Sequence, residues 1–156
     1  MPTLNEVYRK FGEAAEAAQL LETELNNLFS WDCALEDGLL SEPNPTRAAE
    51  LFGRIDRHTL GQLIKRLAYK TKSLDQLESL LSCALEERNR LFHSFYRQHN
   101  FRRNLDEGRA LMLKDLESIH STLLDAYRAV MLLSGVDLEK LAADESFALQ
   151  TRHLPI

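Results

Sequence analysis

Apolar residues recur every three or four positions over most of this chain, and this spacing constrains the fold more than any other feature. The first such stretch runs from about Leu4 to Phe29, with apolar residues at Leu4, Val7, Phe11, Ala14, Ala18, Leu21, Leu25 and Leu28. A period close to 3.6 residues places them on one face of an α-helix. Because the 156 residues include only 6 Gly and 4 Pro, few positions favour turns. The pattern therefore predicts long helices joined by few loops.

Shorter elements are predicted after this first helix. The chain between 30 and 45 interrupts the periodicity with one glycine and two prolines, and is predicted to be an irregular connection. After it, Thr46 is placed to cap a helix that ends near 52, and Thr59 to cap another over 60–69. Residues 149–156 are predicted to form a loose tail.

Two longer helices are predicted in the second half of the chain. Ser73 followed three positions later by Gln76 is a capping-box pattern, and Asn104 with Glu107 is a second one. The helix after Asn104 is expected to stop at Gly135, a residue that readily adopts the left-handed conformation of a helix cap. No segment alternates apolar and polar residues as a strand would.

These elements predict an all-α fold, an up-and-down bundle of four to five helices that forms a single domain over residues 1–156. No stretch has the length and apolarity of a signal peptide or a membrane span, so we expect a cytoplasmic protein. Cys33 and Cys83 form no Cys-x-x-Cys pair and are expected to be free, core-filling thiols. No metal site and no cofactor are expected, because phosphate-loop and zinc-ligand patterns are missing.

Charge is distributed unevenly along the chain. Between Arg88 and Arg109 there are six arginines and two acids, so that this stretch carries +4, while the net charge of the chain is −5 and the remainder is therefore −9. A basic island on an acidic body indicates a specific anion site.

Arg88 and His93 are the most informative residues of this island. Arg88 falls on the apolar stripe of its helix, where a guanidinium must either pair with a carboxylate or await an external anion such as phosphate. Asn89, His93 and Arg97 follow one another at four-residue spacing and are predicted to share a helix face. A histidine with polar neighbours of this kind can serve as a general base.

The segment R-N-R-L-F-H, from Arg88 to His93, resembles the R-x(4–6)-H motif of the higher eukaryote and prokaryote nucleotide-binding (HEPN) family. The resemblance implies a HEPN-like bundle of four or five helices. It also implies a metal-independent endoribonuclease that works as a homodimer, in which Arg88, Asn89 and His93 are catalytic. Some members of that family belong to toxin–antitoxin or defence systems, which implies a cognate antitoxin or regulatory protein as a partner.

In the implied reaction His93 removes the proton of a ribose 2′-OH, which attacks the adjacent phosphate, while Arg88 neutralises the charge that develops. Asn89 orients the histidine or the phosphate. The RNA is expected to be bound by the neighbouring cationic and phenolic side chains, namely Arg90, Tyr96, Arg97, Arg102 and Arg103.

The alternative is a non-catalytic helical interaction or regulatory module. Arg88 is then a structural residue paired with Glu86, Glu87 or an acid of the first helix, and His93 is an ordinary polar residue at a helix end. On an ideal helix positions 88 and 93 point about 140° apart. An RNase site therefore needs either a distorted helix near 91–94 or completion across a dimer.

Overall fold

A computed structural model of the chain describes residues 1–39, 41–42, 44–55, 61–62 and 75–135. The described part is helical, and none of it lies in a strand. This confirms the all-α prediction. The elements are α1 (Leu4–Glu36), α2 (Pro45–Ile55), α3 (Asp75–His93), α4 (Phe95–His99), the 3₁₀ helix η1 (Asn100–Asn104) and α5 (Asp106–Leu133). The capping box predicted at Ser73, nearly all of the helix predicted at 60–69 and the tail at 149–156 lie outside the described residues.

Helix α1 begins with a capping box, in which the Glu6 amide donates to Thr3 Oγ1 (3.2 Å) and the Thr3 amide donates to Glu6 Oε2 (2.6 Å). The helix continues to Glu36, so the prediction of an irregular connection from residue 30 is wrong for residues 30–36. Phe29 and Cys33 are buried and, at four-residue spacing, extend the apolar face of the helix. The helix ends before Gly38, which has a φ of +69°.

The caps of two other helices differ from the prediction. Helix α2 starts at Pro45, and Asn44 Oδ1 accepts a hydrogen bond from the Arg47 amide (3.1 Å), so Asn44 and not Thr46 caps it. No side chain caps the N-terminus of α5, where the predicted pair of Asn104 and Glu107 forms no capping box. Asn104 is instead the last residue of η1.

Helices α1 and α5 run parallel. Lys10 Nζ in the first half of α1 lies 3.0 Å from His120 Nδ1 in the middle of α5, and further along both helices Ser134 Oγ donates to Glu24 Oε1 at 2.7 Å. Gly135, with a φ of +79°, follows the end of α5 as predicted.

Helix α3 runs antiparallel to both of its long neighbours. Phe11 of α1 contacts Phe95, just beyond α3, while Glu22 of α1 pairs with Arg88, so the two sequences approach each other in opposite order. The three long described helices, α1, α3 and α5, therefore alternate in direction along the chain, as in an up-and-down bundle.

The core lies where α1, α3 and α5 meet. Its largest fully buried side chains come from all three helices and from α4, and are Leu21, Leu25, Phe29, Leu81, Leu91, Phe95, Met112, Leu116 and Ile119. Cys33 belongs to this core, but Cys83 is exposed on α3, so the prediction of two core-filling thiols is correct for Cys33 only.

Candidate functional site

The long helix predicted to carry the Arg88–His93 motif is interrupted immediately after it. Helix α3 ends at His93 and α4 begins at Phe95, with Ser94 between them in a non-helical conformation (φ −139°, ψ −10°). Ser94 Oγ donates to the Arg90 carbonyl oxygen at 3.2 Å, a bond of the kind that bends helices. The break follows His93 and leaves Arg88 and His93 on one continuous helix, so of the two alternatives for an RNase site a distorted helix does not bring these two residues together.

Arg88 lies between α1 and its own helix, with 27% of its side chain exposed. Nη2 is 3.7 Å from Glu22 Oε2, and Nη1 donates to Asn89 Oδ1 at 3.2 Å. The guanidinium also lies over the ring of Phe92, 5.3 Å from its centroid. Its Nε is buried without a hydrogen-bond partner in the described structure. The ion pair with Glu22 is long compared with the 2.7–2.9 Å of a strong charge-assisted bond, so the guanidinium is only loosely held.

His93 and Asn89 are exposed on α3. Among the described residues nothing is hydrogen-bonded to the His93 imidazole, which therefore stands available at the C-terminal end of its helix. Arg97 is exposed on α4, on the far side of the break at Ser94. The predicted common face consequently applies to Asn89 and His93 but does not extend through a continuous helix to Arg97.

Arg90, predicted to bind RNA, forms a structural ion pair instead. Its Nη1 and Nη2 each lie 2.7 Å from an oxygen of Asp115 on α5, and Nη2 also donates to Glu87 at 2.7 Å. The Asp115 hydrogen bonds, supported by Glu87, raise the pKa of Arg90. The same guanidinium, with a smaller contribution from His99, lowers the pKa of Asp115. This pair satisfies Arg90 internally, which is the role that the non-catalytic alternative gave to Arg88.

His99 is buried, with 5% of its surface exposed, and sequence reasoning assigned it no role. Nε2 lies 2.7 Å from Asp115 Oδ2, and Nδ1 lies 3.2 Å from Arg102 Nη1. A guanidinium can only donate, so Nδ1 accepts the hydrogen bond from Arg102. The ring proton is then on Nε2, which donates a hydrogen bond to Asp115. The four-residue spacing from the buried Phe95 was the sequence signal for this position, since both lie on the inner face of α4.

The 3₁₀ helix η1 presents Arg102 and Arg103 at this end of the bundle, and Gly108 holds it close to α5. A Cβ on Gly108 would overlap the Arg102 carbonyl oxygen, so only glycine permits this approach. Arg109 adds to the attachment, since Nη1 donates to the Arg103 carbonyl (3.0 Å) and Nε to the Pro2 carbonyl (2.6 Å).

Aromatic side chains accompany these arginines. The Tyr96 ring packs against Phe11 and Phe95, with centroid distances of 5.3 and 5.2 Å, and remains partly exposed. Burial, together with the nearby Tyr8 phenol, raises the pKa of Tyr96. Arg103 Nη2 donates to the Tyr8 hydroxyl at 3.2 Å. Tyr8, on α1, is thus a member of this group that the sequence motif did not identify.

Three of the described arginines, Arg97, Arg102 and Arg103, form no ion pair with a carboxylate of the described chain. Arg9, Arg47, Arg88, Arg90, Arg109 and Arg128 each form one, and Arg54 also has a partner. The three without a carboxylate lie within seven consecutive positions of α4 and η1, and all are exposed. Uncompensated positive charge is therefore concentrated beside the motif.

A separate groove of about 650 Å³ lies toward the opposite end of α1, where Glu24, Asn27, Leu28, Trp31 and Ser134 line it. It includes none of the predicted site residues. The described residues contain no group of three His, Cys, Asp or Glu side chains that could hold a metal ion.

None of the helices in the described ranges has a stretch of the length and apolarity needed to cross a bilayer. No protein-family model matches this chain, and no curated protein sequence or solved structure is significantly similar to it.

Proposed function

We propose that this chain is a metal-independent endoribonuclease of the HEPN type, with His93 as the general base. The observation that carries the proposal is the exposed His93 imidazole, which has no hydrogen-bond partner in the described structure and precedes three exposed arginines that no described carboxylate neutralises. A nucleophile-activating base beside uncompensated guanidinium groups is the arrangement that cleavage of a phosphodiester requires.

In the proposed reaction His93 accepts the proton of a ribose 2′-OH. The 2′ oxygen then bonds to the adjacent phosphorus, the bond from phosphorus to the 5′ oxygen breaks, and a 2′,3′-cyclic phosphate remains. The leaving 5′ oxygen takes its proton from the imidazolium or from water. The ion pair of Arg88 Nη2 with Glu22 is long, at 3.7 Å, so a phosphoryl oxygen can compete for this end of the guanidinium. DNA lacks the attacking hydroxyl and is not a substrate.

The site is proposed to be completed in a homodimer. Arg88 is directed toward Glu22 of α1, whereas His93 is exposed at the end of α3. Two copies that meet along α3 would bring the Arg88 of one to the His93 of the other, and a two-fold axis is the usual symmetry for such a contact. A cognate antitoxin or regulatory protein would act by covering the basic end of the bundle.

The test is cleavage of single-stranded RNA in the presence of EDTA, with analysis of the product ends. We expect cyclic-phosphate ends, and we expect His93→Ala to abolish turnover without changing the circular dichroism spectrum. His120→Gln is the matched control, because His120 lies on α5 beside Lys10 and away from the motif. Cleavage at the wild-type rate by purified His93→Ala would contradict the proposal.

The second candidate is a non-catalytic interaction module, and the Arg88–Glu22 ion pair favours it. In that case the arginine helps to join α3 to α1, and purified protein cleaves no RNA. Arg88→Met separates the two functions. It retains an apolar stem of similar length, so it should preserve the fold in both cases, but it should abolish cleavage only in an RNase.

A further inference from the structure

Two exposed tyrosines and three exposed arginines lie at the end of the bundle that contains η1. We refer to Tyr8, Tyr96, Arg97, Arg102 and Arg103 as the tyrosine–arginine patch. Tyr8 is 44% exposed and Tyr96 38% exposed. The patch joins three segments, since Tyr8 lies on α1, the next two residues on α4, and the last two on η1.

Four of the five members of the patch are held in place by their neighbours, Arg97 being the exception among the contacts of the described residues. Tyr96 packs against Phe11 and Phe95, so that its ring is fixed while part of it remains open to solvent. Arg103 donates to the Tyr8 hydroxyl, which fixes the two side chains relative to each other. Arg102 donates to the buried His99, whose other nitrogen is bonded to Asp115. Little side-chain freedom therefore remains to be lost when a ligand binds.

The chemistry of the patch selects its ligand. Guanidinium groups without a carboxylate partner bind phosphate, and exposed tyrosine rings provide faces on which unpaired bases stack. Tyrosine and arginine also serve protein interfaces, but arginines without a carboxylate beside open ring faces match a strand in which phosphates and bases alternate, whereas a duplex keeps its bases stacked on each other. Single-stranded nucleic acid uses both features.

We infer that the tyrosine–arginine patch binds unpaired bases and phosphates of single-stranded RNA beside the cleaved bond, with Tyr8 as a stacking residue. That the strand is RNA rests on the proposed RNase function, whereas the stacking itself rests on the geometry of the patch. The patch thereby favours single-stranded over double-stranded substrates.

Binding is measured by fluorescence anisotropy in a His93→Ala background, which prevents cleavage. Three labelled probes are compared, namely a single-stranded RNA, an abasic oligomer of the same length, and a blunt RNA duplex. We expect the RNA strand to bind most tightly. Tyr8→Leu should weaken its binding about tenfold, because stacking of one base contributes on that order. It should leave binding of the abasic oligomer unchanged.

Tyr8→Phe keeps the ring and loses only the hydroxyl that accepts from Arg103, so it should retain most of the affinity. Trp31→Leu is the matched control, because Trp31 is also an exposed aromatic residue of α1 but lies about 35 Å further along the helix. It should bind all three probes as the parent protein does. Arg103→Gln should weaken binding of the RNA strand and of the abasic oligomer alike, and should flatten the salt dependence.

Equal affinity for the RNA strand and the abasic oligomer, or unchanged binding in Tyr8→Leu, would overturn the inference. So would a failure to bind any probe, which would assign the patch to an acidic protein partner. If the Tyr8 effect is found but wild-type protein cleaves no RNA, the stacking surface stands and the RNase proposal fails. If RNA is cleaved but Tyr8→Leu binds it normally, the RNase proposal stands and this inference fails.

Discussion

At the scale of single residues, Arg90 forms a stronger ion pair than Arg88, which pairs only at 3.7 Å with Glu22 of the first helix. Both arginines lie in one basic segment, and the sequence favours Arg88 as the residue in need of a partner. Arg90 instead takes the strong bidentate contact with Asp115. That contact joins residues 25 positions apart and depends on the register of α3 against α5, which no local pattern encodes. The motif could be located from sequence, but the pairing of its guanidinium groups could not.

The Asp115 carboxylate should contribute measurably to stability. Asp115→Asn removes the negative charge that faces Arg90 and His99 while keeping the size of the side chain. We expect a loss of about 2 kcal/mol in the free energy of unfolding, less than for a fully buried pair because both partners are about a quarter exposed. Urea denaturation provides the measurement.

Asp125→Asn is the matched control for Asp115→Asn. Asp125 pairs with Arg128 at 3.5 Å, and about half of each side chain is exposed, so its loss should cost less than about 0.5 kcal/mol. Equal destabilisation by the two variants would contradict a structural role for the Asp115 network.

His120 should make the stability depend on pH between about 7 and 5. Burial, and then the charge of Lys10, lower the pKa of His120 from its ordinary value of 6.5. Because the folded state favours the neutral imidazole, the contribution to stability is present above pH 6.5 and is lost as the pH falls through the lowered folded pKa. The carboxylate of Asp115 acts in the same direction but only in more acidic solution.

The variant that isolates this effect is His120→Gln, whose amide oxygen can still accept a hydrogen bond from Lys10 Nζ. We expect its melting temperature to fall less steeply than that of the wild type as the pH decreases from 7 to 5. Parallel curves for the two proteins would show that another group is responsible.

At the scale of the elements, the helices were predictable and their ends were not. The stripe from Val7 to Leu25 identified α1, because burial against α5 follows directly from its period. Residues 30–36 were missed because the glycine and prolines of 30–45 indicate an irregular segment without fixing where it begins, and the burial of Cys33 and Ala34 shows that the stripe continues. The break at Ser94 follows both Arg88 and His93 on α3 and does not bring them together, so a site that uses both residues needs the second alternative, completion across a dimer.

The position of η1 should depend on Gly108. In Gly108→Ala the new methyl group would overlap the Arg102 carbonyl, a backbone atom, so η1 or the first turn of α5 must move. We expect a loss of about 2–3 kcal/mol, together with weaker RNA binding, because Arg102 and Arg103 are carried by η1. Thermal unfolding and anisotropy measure the two effects.

Gly12→Ala is the control that shows the effect of replacing a helical glycine by alanine where no steric overlap occurs. Gly12 lies in the interior of α1, and a methyl group at this position would meet nothing within 4 Å. Alanine there should raise stability by about 0.5–1 kcal/mol, since glycine is a poor helix former. If Gly108→Ala were as stable as Gly12→Ala, close packing of η1 on α5 would be refuted.

At the scale of the whole molecule, the parallel course of α1 and α5 places the start of both helices at one end, together with α4 and η1. The contacts that establish this are Arg109 with Pro2 and Arg103 with Tyr8. The three arginines of the basic island that have no described carboxylate partner, Arg97, Arg102 and Arg103, are carried by α4 and η1 and therefore lie at this end of an otherwise acidic bundle. The charge imbalance could be predicted from the sequence. The contact between Arg103 and Tyr8 could not be predicted, because the two residues are 95 positions apart in the sequence.

The proposed dimer can be tested by complementation between two inactive variants. If the site combines Arg88 of one protomer with His93 of its partner, Arg88→Met and His93→Ala are each inactive alone. A mixed dimer of the two contains one site with both residues intact and one site with neither. After unfolding and refolding an equimolar mixture, about half of the dimers are mixed and each has one of two sites, so about a quarter of wild-type activity should return. If both residues act within one protomer, every site in the mixture lacks one of them and no activity returns. A wild-type protein that light scattering finds monomeric at tens of micromolar would also contradict the shared site.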